Sequence, residues 1–336
     1  MVSEITIAVI QLYSKPLDVA GNFARAESFI RRAASQGADL AVLPEYHLQS
    51  WRADRAALLA AARKSAPYLD KYRSLARELR IAIVPGTILE VTRAPAPEGS
   101  RQQTVILLQP ENDDDQQQQQ IANAAYFIGA DGIVRARYQK KNLWHPERPI
   151  LTADADTPHQ AFDYEPWGVR VGMLICWDLA FPEATRELAA QGAQLVVCPT
   201  CWLAGDNGEG GDAVNPLSEQ VFVESVVVAR AFENTCAIVL CNAGGPVGGE
   251  QGGEGEEGEG EEEGEVRFLG LSQVAMPMLG ALGKLGSEEG MSVARVDLGV
   301  LDIAEEAYKM RADMAKEGWH YAHTLRDVTG KGRATS

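Results

Sequence analysis

Apolar positions in this chain switch repeatedly between short β-rich runs and a helical spacing. Ile5-Thr6-Ile7-Ala8-Val9-Ile10 reads as a strand. After it Phe23, Ala26, Ile30 and Ala33 recur three or four apart, one face of a helix that Gly37 stops. Leu40–Leu43 predicts a second strand ended by Pro44, Tyr68, Tyr72, Leu75 and Leu79 a second helix, and Ile81–Val84 a third strand. Val105–Leu108 and Ala124–Ile128 predict neighbouring strands, and Ile133–Tyr138 and Val169–Ile175 two more. The pattern continues with a helix over Glu183–Ala190, a strand at Leu195–Cys198, a helix over Pro216–Phe232 and a strand at Cys236–Leu240. Pro216 suits a first helical turn, where its missing N–H costs nothing. Arg267-Phe268-Leu269, a strand at Met291–Val296 and a last helix marked by Ile303, Ala307 and Met310 close the sequence. Strands alternating with helices predict a layered α/β domain. No internal repeat is present.

Two segments break the pattern. Asp113-Asp114-Asp115 with Gln116–Gln120 is low in complexity and reads as a disordered hairpin tip within an insertion at about 111–120. A second insertion, at about 248–265, carries nine glutamates between 250 and 265 with no Lys or Arg, and cannot bury apolar surface. A surface loop accepts such length cheaply, so it reads as a tolerated insertion rather than an acidic docking tail. Residues 1–336 are expected to form one domain around these interruptions.

Charge changes the picture less than the total suggests. The net charge is −16, and removing the nine glutamates of the tract leaves −7 for the remainder. A mildly acidic body repels phosphate backbones, which argues against nucleic acid as a partner. The first residues lack a basic stretch followed by a long apolar one, so no secretory leader is expected, and no run of about 18 apolar residues predicts a membrane helix. Five cysteines, few and odd in number, fit a reducing compartment and a cytoplasmic location.

Three chemistry-bearing residues share one placement. Glu45 follows Leu40–Pro44, Lys140 follows Ile133–Tyr138, and Cys176 follows Val169–Ile175. Each stands where an apolar strand ends, the place where ligand sites gather in α/β sheets. A thiolate is a strong nucleophile, and a nearby ammonium favours it by lowering the thiol pKa. Lys140 could supply that charge and stabilise an oxyanion. Glu45 could take the thiol proton, pass it to a leaving amine and then activate water. Placement alone leaves other α/β proteins open.

The sequences around these residues are more specific. Leu43-Pro44-Glu45-Tyr46, Tyr138-Gln139-Lys140-Lys141-Asn142-Leu143 and Ile175-Cys176-Trp177-Asp178-Leu179-Ala180-Phe181-Pro182-Glu183 resemble the three catalytic motifs of the nitrilase superfamily, in that family's order. Ile7–Leu12, Cys198-Pro199-Thr200-Cys201-Trp202, Ala229–Asn234 and Glu306–Asp313 extend the resemblance over nearly the whole chain. It implies a single-domain four-layer αββα sandwich, usually paired into homodimers or higher homo-oligomers, with no metal or other cofactor. It implies Glu45 as general base, Lys140 as cationic partner, Cys176 as nucleophile and the Trp177 N–H in the oxyanion hole. Glu147 matches a supporting glutamate, with Tyr46, His145 and Trp202 as further substrate-binding candidates; His47 is a pocket-lining candidate too. Asn142 stands where the family often has histidine. Asp178, two after the cysteine, is what amide-cleaving branches usually carry, whereas nitrile-cleaving relatives commonly have glutamate. The implied activity is hydrolysis of a small amide, with a nitrile as the alternative substrate.

Rival readings are weaker. Cys198 and Cys201 have the spacing of a redox or zinc pair but lack further ligands at zinc spacing. Gly280–Gly286 lacks the first glycine of a phosphate loop, and Leu285 follows Lys284 where Ser or Thr is required. No Gly-x-Ser-x-Gly elbow supports a serine hydrolase. A non-catalytic binding module on the same fold would be favoured by loss of one of the three residues, and all three are present.

Overall fold

The computed structural model describes residues 2–93, 119–249 and 266–316. Two sheets pack face to face with helices outside each. The first runs in the order β13-β1-β2-β3-β5-β4, with β6 also on β5. Its members are β1 (Glu4–Gln11), β2 (Leu40–Val42), β3 (Ala82–Val84), β4 (Thr87–Arg93), β5 (Gln119–Ile128), β6 (Val134–Gln139) and β13 (Gly290–Asp297). The second runs β12-β11-β10-β9-β8-β7. Its members are β7 (Phe162–Tyr164), β8 (Val169–Met173), β9 (Leu195–Pro199), β10 (Ala237–Cys241), β11 (Gln273–Met276) and β12 (Gly280–Leu282).

Why both faces of the first sheet must be covered is visible in β1. Ile5, Ile7 and Val9 join Leu40, Val42 and Val84 against Val171, Val197 and Val239 of the second sheet. Ala8 and Ile10, on the opposite face, pack with Ala41, Leu43 and Ile83 beneath Ala26 and Ile30 of α1 (Val19–Ser35) and Tyr72 and Leu75 of α3 (Tyr68–Leu79). Parallel central strands covered on both sides lose the polar alternation of a half-exposed sheet. Beyond the second sheet, Ala184 and Leu188 of α4 (Pro182–Ala190) and Val223, Val227 and Ala231 of α6 (Ser218–Asn234) join the same inter-sheet core. The layers are therefore helix, sheet, sheet, helix: a single-domain αββα sandwich.

Several local expectations shift. Asp54 caps α2 (Arg55–Ser65), a helix the periodicity did not predict, by accepting from the Ala56 and Ala57 N–H groups. Gln119 and Gln120 are strand residues paired with Arg93 and Thr92, not part of a loop. Gln119 is buried, and Arg55 and Arg63 donate to it. Polar side chains extend this strand, with the Gln119 carbonyl and Oε1 accepting from these two arginines. The predicted strand at Val105–Leu108 lies outside the described residues, as do 111–118 of the first insertion and 250–265 of the second; β4, β3 and β6 are the described partners of β5. The closing helix is two pieces, α7 (Gly299–Tyr308) and α8 (Met310–Met314), broken at Lys309 with φ 54°. Its buried face is Leu301 and Ala304, whereas Ile303 is exposed. The remaining short helix, α5 (Gly208–Val214), precedes α6. No helix among the described residues is long and apolar enough to cross a membrane.

Candidate active site

The loops after β2, β6, β8 and β9 converge at one edge of the sandwich. Glu45 follows β2 through Leu43-Pro44, and Gly86 makes that turn possible. Gly86 has φ +59°, and a Cβ there would lie 1.8 Å from the Pro44 carbonyl oxygen, so only glycine lets the β3–β4 link pass the Glu45 loop. The Glu45 N–H donates to Thr200 O at 3.3 Å, tying this loop to the one after β9. Lys140 follows β6 and is fixed by its own N–H to Asn123 O of β5, 2.9 Å. Cys176 opens a 3₁₀ turn, Cys176–Ala180, with φ 46°. A non-glycine residue in that region carries backbone strain of the kind that collects at functional sites.

Glu45, Lys140 and Glu147 form a buried hydrogen-bonded trio. Lys140 Nζ donates to Glu45 Oε1 at 2.8 Å and to Glu147 Oε1 at 2.7 Å, and the three residues are each 1–2% exposed. Asn123 Nδ2 also donates to Glu45 Oε1, 2.7 Å, and the Cys201 N–H to Glu45 Oε2, 3.1 Å. Glu147 lies on a short 3₁₀ turn whose Trp144 N–H donates to its Oε2 at 2.8 Å, and the Tyr46 hydroxyl donates to its Oε1. Such a trio persists in low dielectric because every charge has partners.

Electrostatics set the protonation states. Burial pushes the Glu45 carboxyl up to about 7, against the pull of Lys140 and with help from Glu147. Burial acts to lower Lys140, yet Glu45, Cys176 and Glu147 outweigh it and hold the ammonium well above the usual lysine range. Burial first, and Glu45 second, push the Cys176 thiol well above its ordinary range; Lys140 opposes them and is outweighed. The lowering expected from Lys140 is thus present but does not prevail.

Asp178 is buried and serves as a clamp. Its Oδ2 accepts from Ile175 N–H at 3.0 Å and Tyr138 hydroxyl at 2.8 Å, and its Oδ1 from Asn142 N–H at 2.8 Å and Asn142 Nδ2 at 2.9 Å. One carboxylate thus joins the cysteine loop to the lysine loop, and Asn142 completes that joint.

A small pocket of about 20 Å³ is lined by Glu45, Tyr46, Lys140, Glu147, Cys176 and Trp177, with Trp51, Trp144, Cys201, Trp202, Leu203 and Asp206 around them. It shares Glu45, Tyr46, Trp51, Cys201 and Leu203 with a neighbouring cleft of about 380 Å³. Of the residues singled out from sequence, His145 does not line either space. It is exposed, with its ring 4.9 Å from that of Trp144. His47 is fully buried elsewhere, its Nε2 2.7 Å from the Tyr72 hydroxyl, and burial pushes it down to about 3. Cys198 sits in β9 beside Thr200 while Cys201 lines the pocket, and both are free thiols. Among the described residues no group of three or more His, Cys, Asp or Glu is arranged to hold a metal ion. Sequence reasoning missed Asn123 and Asp206. Asn123 lies mid-strand in no motif, and Asp206 joins Glu45 in the pocket lining only through the fold.

The carbon-nitrogen hydrolase signature spans residues 6–304. A nitrilase from Pyrococcus abyssi is 26% identical over 88% of this chain and 90% of its own. An (R)-stereoselective amidase from a Pseudomonas species is 30% identical over 57% of this chain and 58% of its own. An amidase from Nesterenkonia sp. AN1, solved as a variant carrying the acetamide moiety of fluoroacetamide on its active-site cysteine, superposes with a TM-score of 0.64. It is 25% identical, over 92% of this chain and 96% of that one. The chain belongs to the carbon-nitrogen hydrolase family, within the nitrilase superfamily. It is an enzyme of the amidase/nitrilase type.

Proposed function

We propose that this protein hydrolyses a small primary amide through a thioester on Cys176, releasing ammonia and a carboxylate. The observation that carries the reading is the Glu45 carboxyl, raised to about 7 by burial and hydrogen-bonded to Lys140 in the pocket that Cys176 lines. A base matched to neutral pH can both accept and return a proton.

The chemistry follows from the placement. Glu45 takes the thiol proton as sulfur attacks the amide carbon. The carbonyl oxygen becomes an oxyanion met by the Lys140 ammonium and the Trp177 N–H, which in the first turn of its 3₁₀ segment has no intrahelical acceptor. Collapse of the tetrahedral centre expels the nitrogen, which receives the proton from Glu45 and leaves as ammonia. Water, deprotonated by Glu45, then attacks the thioester; the carboxylic acid departs and the thiol is restored. Glu147, itself held by the Tyr46 hydroxyl, keeps the ammonium in place throughout. The narrowness of the inner pocket favours an unsubstituted amide nitrogen at the reacting end.

Ammonia release from a panel of small amides and nitriles, by the parent and by Cys176→Ala, tests this. Turnover of a primary amide by the parent, with at least a thousandfold loss in the variant, is expected, in keeping with removal of a covalent nucleophile. Equal activity in both proteins contradicts the assignment of Cys176. Turnover of nitriles in preference to amides contradicts the substrate class.

A further inference from the structure

Asp206 is the acidic group in the pocket that the chemistry above does not use. It stands at the end of the loop that leaves β9, where the Leu203 N–H donates to its Oδ2 at 2.9 Å. Among the described residues no donor reaches its other oxygen. Burial holds the Asp206 carboxyl up to about 7, with Glu219 and Glu45 adding to the rise. Its ionised form is therefore short of positive partners. The ammonium of the pocket cannot serve, because Lys140 is already shared between Glu45 and Glu147.

The walls around Asp206 are aromatic. Trp51, Trp144, Trp177, Trp202 and Tyr46 line the same small space. The Trp177 and Trp202 rings lie 5.3 Å apart, and the Trp202 indole N–H donates to Glu219 at 2.6 Å. That bond puts a second carboxylate behind the indole. Tyr46 and Trp51 form a further ring pair at 5.3 Å. Ring faces attract a desolvated cation, and a carboxylate beside them adds a charge-assisted partner. Three carboxyls, Glu45, Glu147 and Asp206, share this lining with one ammonium, Lys140. A substrate carboxylate placed here would meet like charge.

We infer that Asp206 and the tryptophan walls form a subsite for a positively charged group of the substrate, so that the amide turned over carries an ammonium a few bonds from its carbonyl. This inference rests on the amide-hydrolase reading and narrows it to amino amides. Asp206 sets specificity; it does not take part in bond making.

Three amides of similar size separate the cases: β-alaninamide (ammonium), butyramide (neutral) and succinamate (carboxylate). The parent protein is expected to prefer β-alaninamide. In Asp206→Asn the ratio of kcat/KM for β-alaninamide to that for butyramide should fall about 10- to 100-fold, the loss lying mainly in KM, as for a hydrogen bond to a charged group. Asp206→Glu should recover part of the ratio. A ratio unchanged by Asp206→Asn, or a parent that prefers succinamate, overturns the subsite. Calorimetric binding of the same amides to Cys176→Ala keeps the two readings apart. Selective binding of β-alaninamide without turnover by the parent supports the subsite and overturns the amide-hydrolase reading. Turnover with no ammonium preference does the reverse. Neither binding nor turnover overturns both.

Discussion

With a neutral amide such as butyramide, which makes no use of Asp206, Glu45 makes the pH profile of this protein a readout of one carboxyl. Its acid form is stabilised by burial, so the working base is lost on acidification through about pH 7 rather than near 4. We expect kcat/KM to rise with pH across that range with a slope of one proton, and Glu45→Gln to abolish the limb while lowering activity by about 10²- to 10⁴-fold. A flat profile from about pH 6 to 8 would show that another group serves as base. At this scale the sequence was informative about identity and poor on energetics. The motifs around Glu45, Lys140 and Cys176 could be read as written. That Glu45 and burial outweigh Lys140 at the thiol depends on through-space distances no motif encodes. His145 illustrates the complementary error: two residues from Glu147 in sequence, it lies outside the pocket because the 3₁₀ turn points Glu147 inward.

Loops and the turns that fix them decide whether those residues meet. Asp178 accepts four hydrogen bonds that tie Tyr138 and Asn142 to Ile175. Asp178→Ala leaves buried donors unmet and should cost about 3 kcal/mol or more in urea unfolding, with activity falling alongside. Loss of activity at unchanged stability would mean that the carboxylate is not a clamp. Gly86→Ala puts a methyl group into the Pro44 carbonyl at a positive φ. It should destabilise by about 2 kcal/mol or more and lower kcat through Glu45, whereas Gly86→Ala with parental stability and activity would contradict the close approach. Helices with a clean apolar stripe, such as α1 and α3, were legible from spacing. The last helix was legible only in part, since its exposed Ile303 mimics a core position while the smaller Ala304 is the buried one. The β5 extension through Gln119 was masked by its polar composition.

At the scale of the whole molecule, one core runs between the two sheets and reaches α4 and α6. Residues of β1 and β2 cannot lose their packing without exposing β8, β9 and β10. We therefore expect a single cooperative unfolding transition, with tryptophan fluorescence and far-ultraviolet circular dichroism coincident. Two separated transitions would show that the halves fold independently. The layered α/β class followed from the alternation of elements, but the pairing of two sheets did not. Strand order and the antiparallel partnership of β1 with β13, Ile7 opposite Ala294, join segments almost a full chain length apart, and a local pattern holds no record of such a partner.

The central claim is that Cys176 carries the acyl group. Acid-quenching the protein during turnover of a small amide and measuring its intact mass, with peptide mapping, tests it directly. The account predicts an increment equal to the acyl group less one hydrogen, located on Cys176, sensitive to hydroxylamine and absent from Cys176→Ala. Turnover with no adduct at any time, or an adduct on another residue such as Cys201, would contradict it.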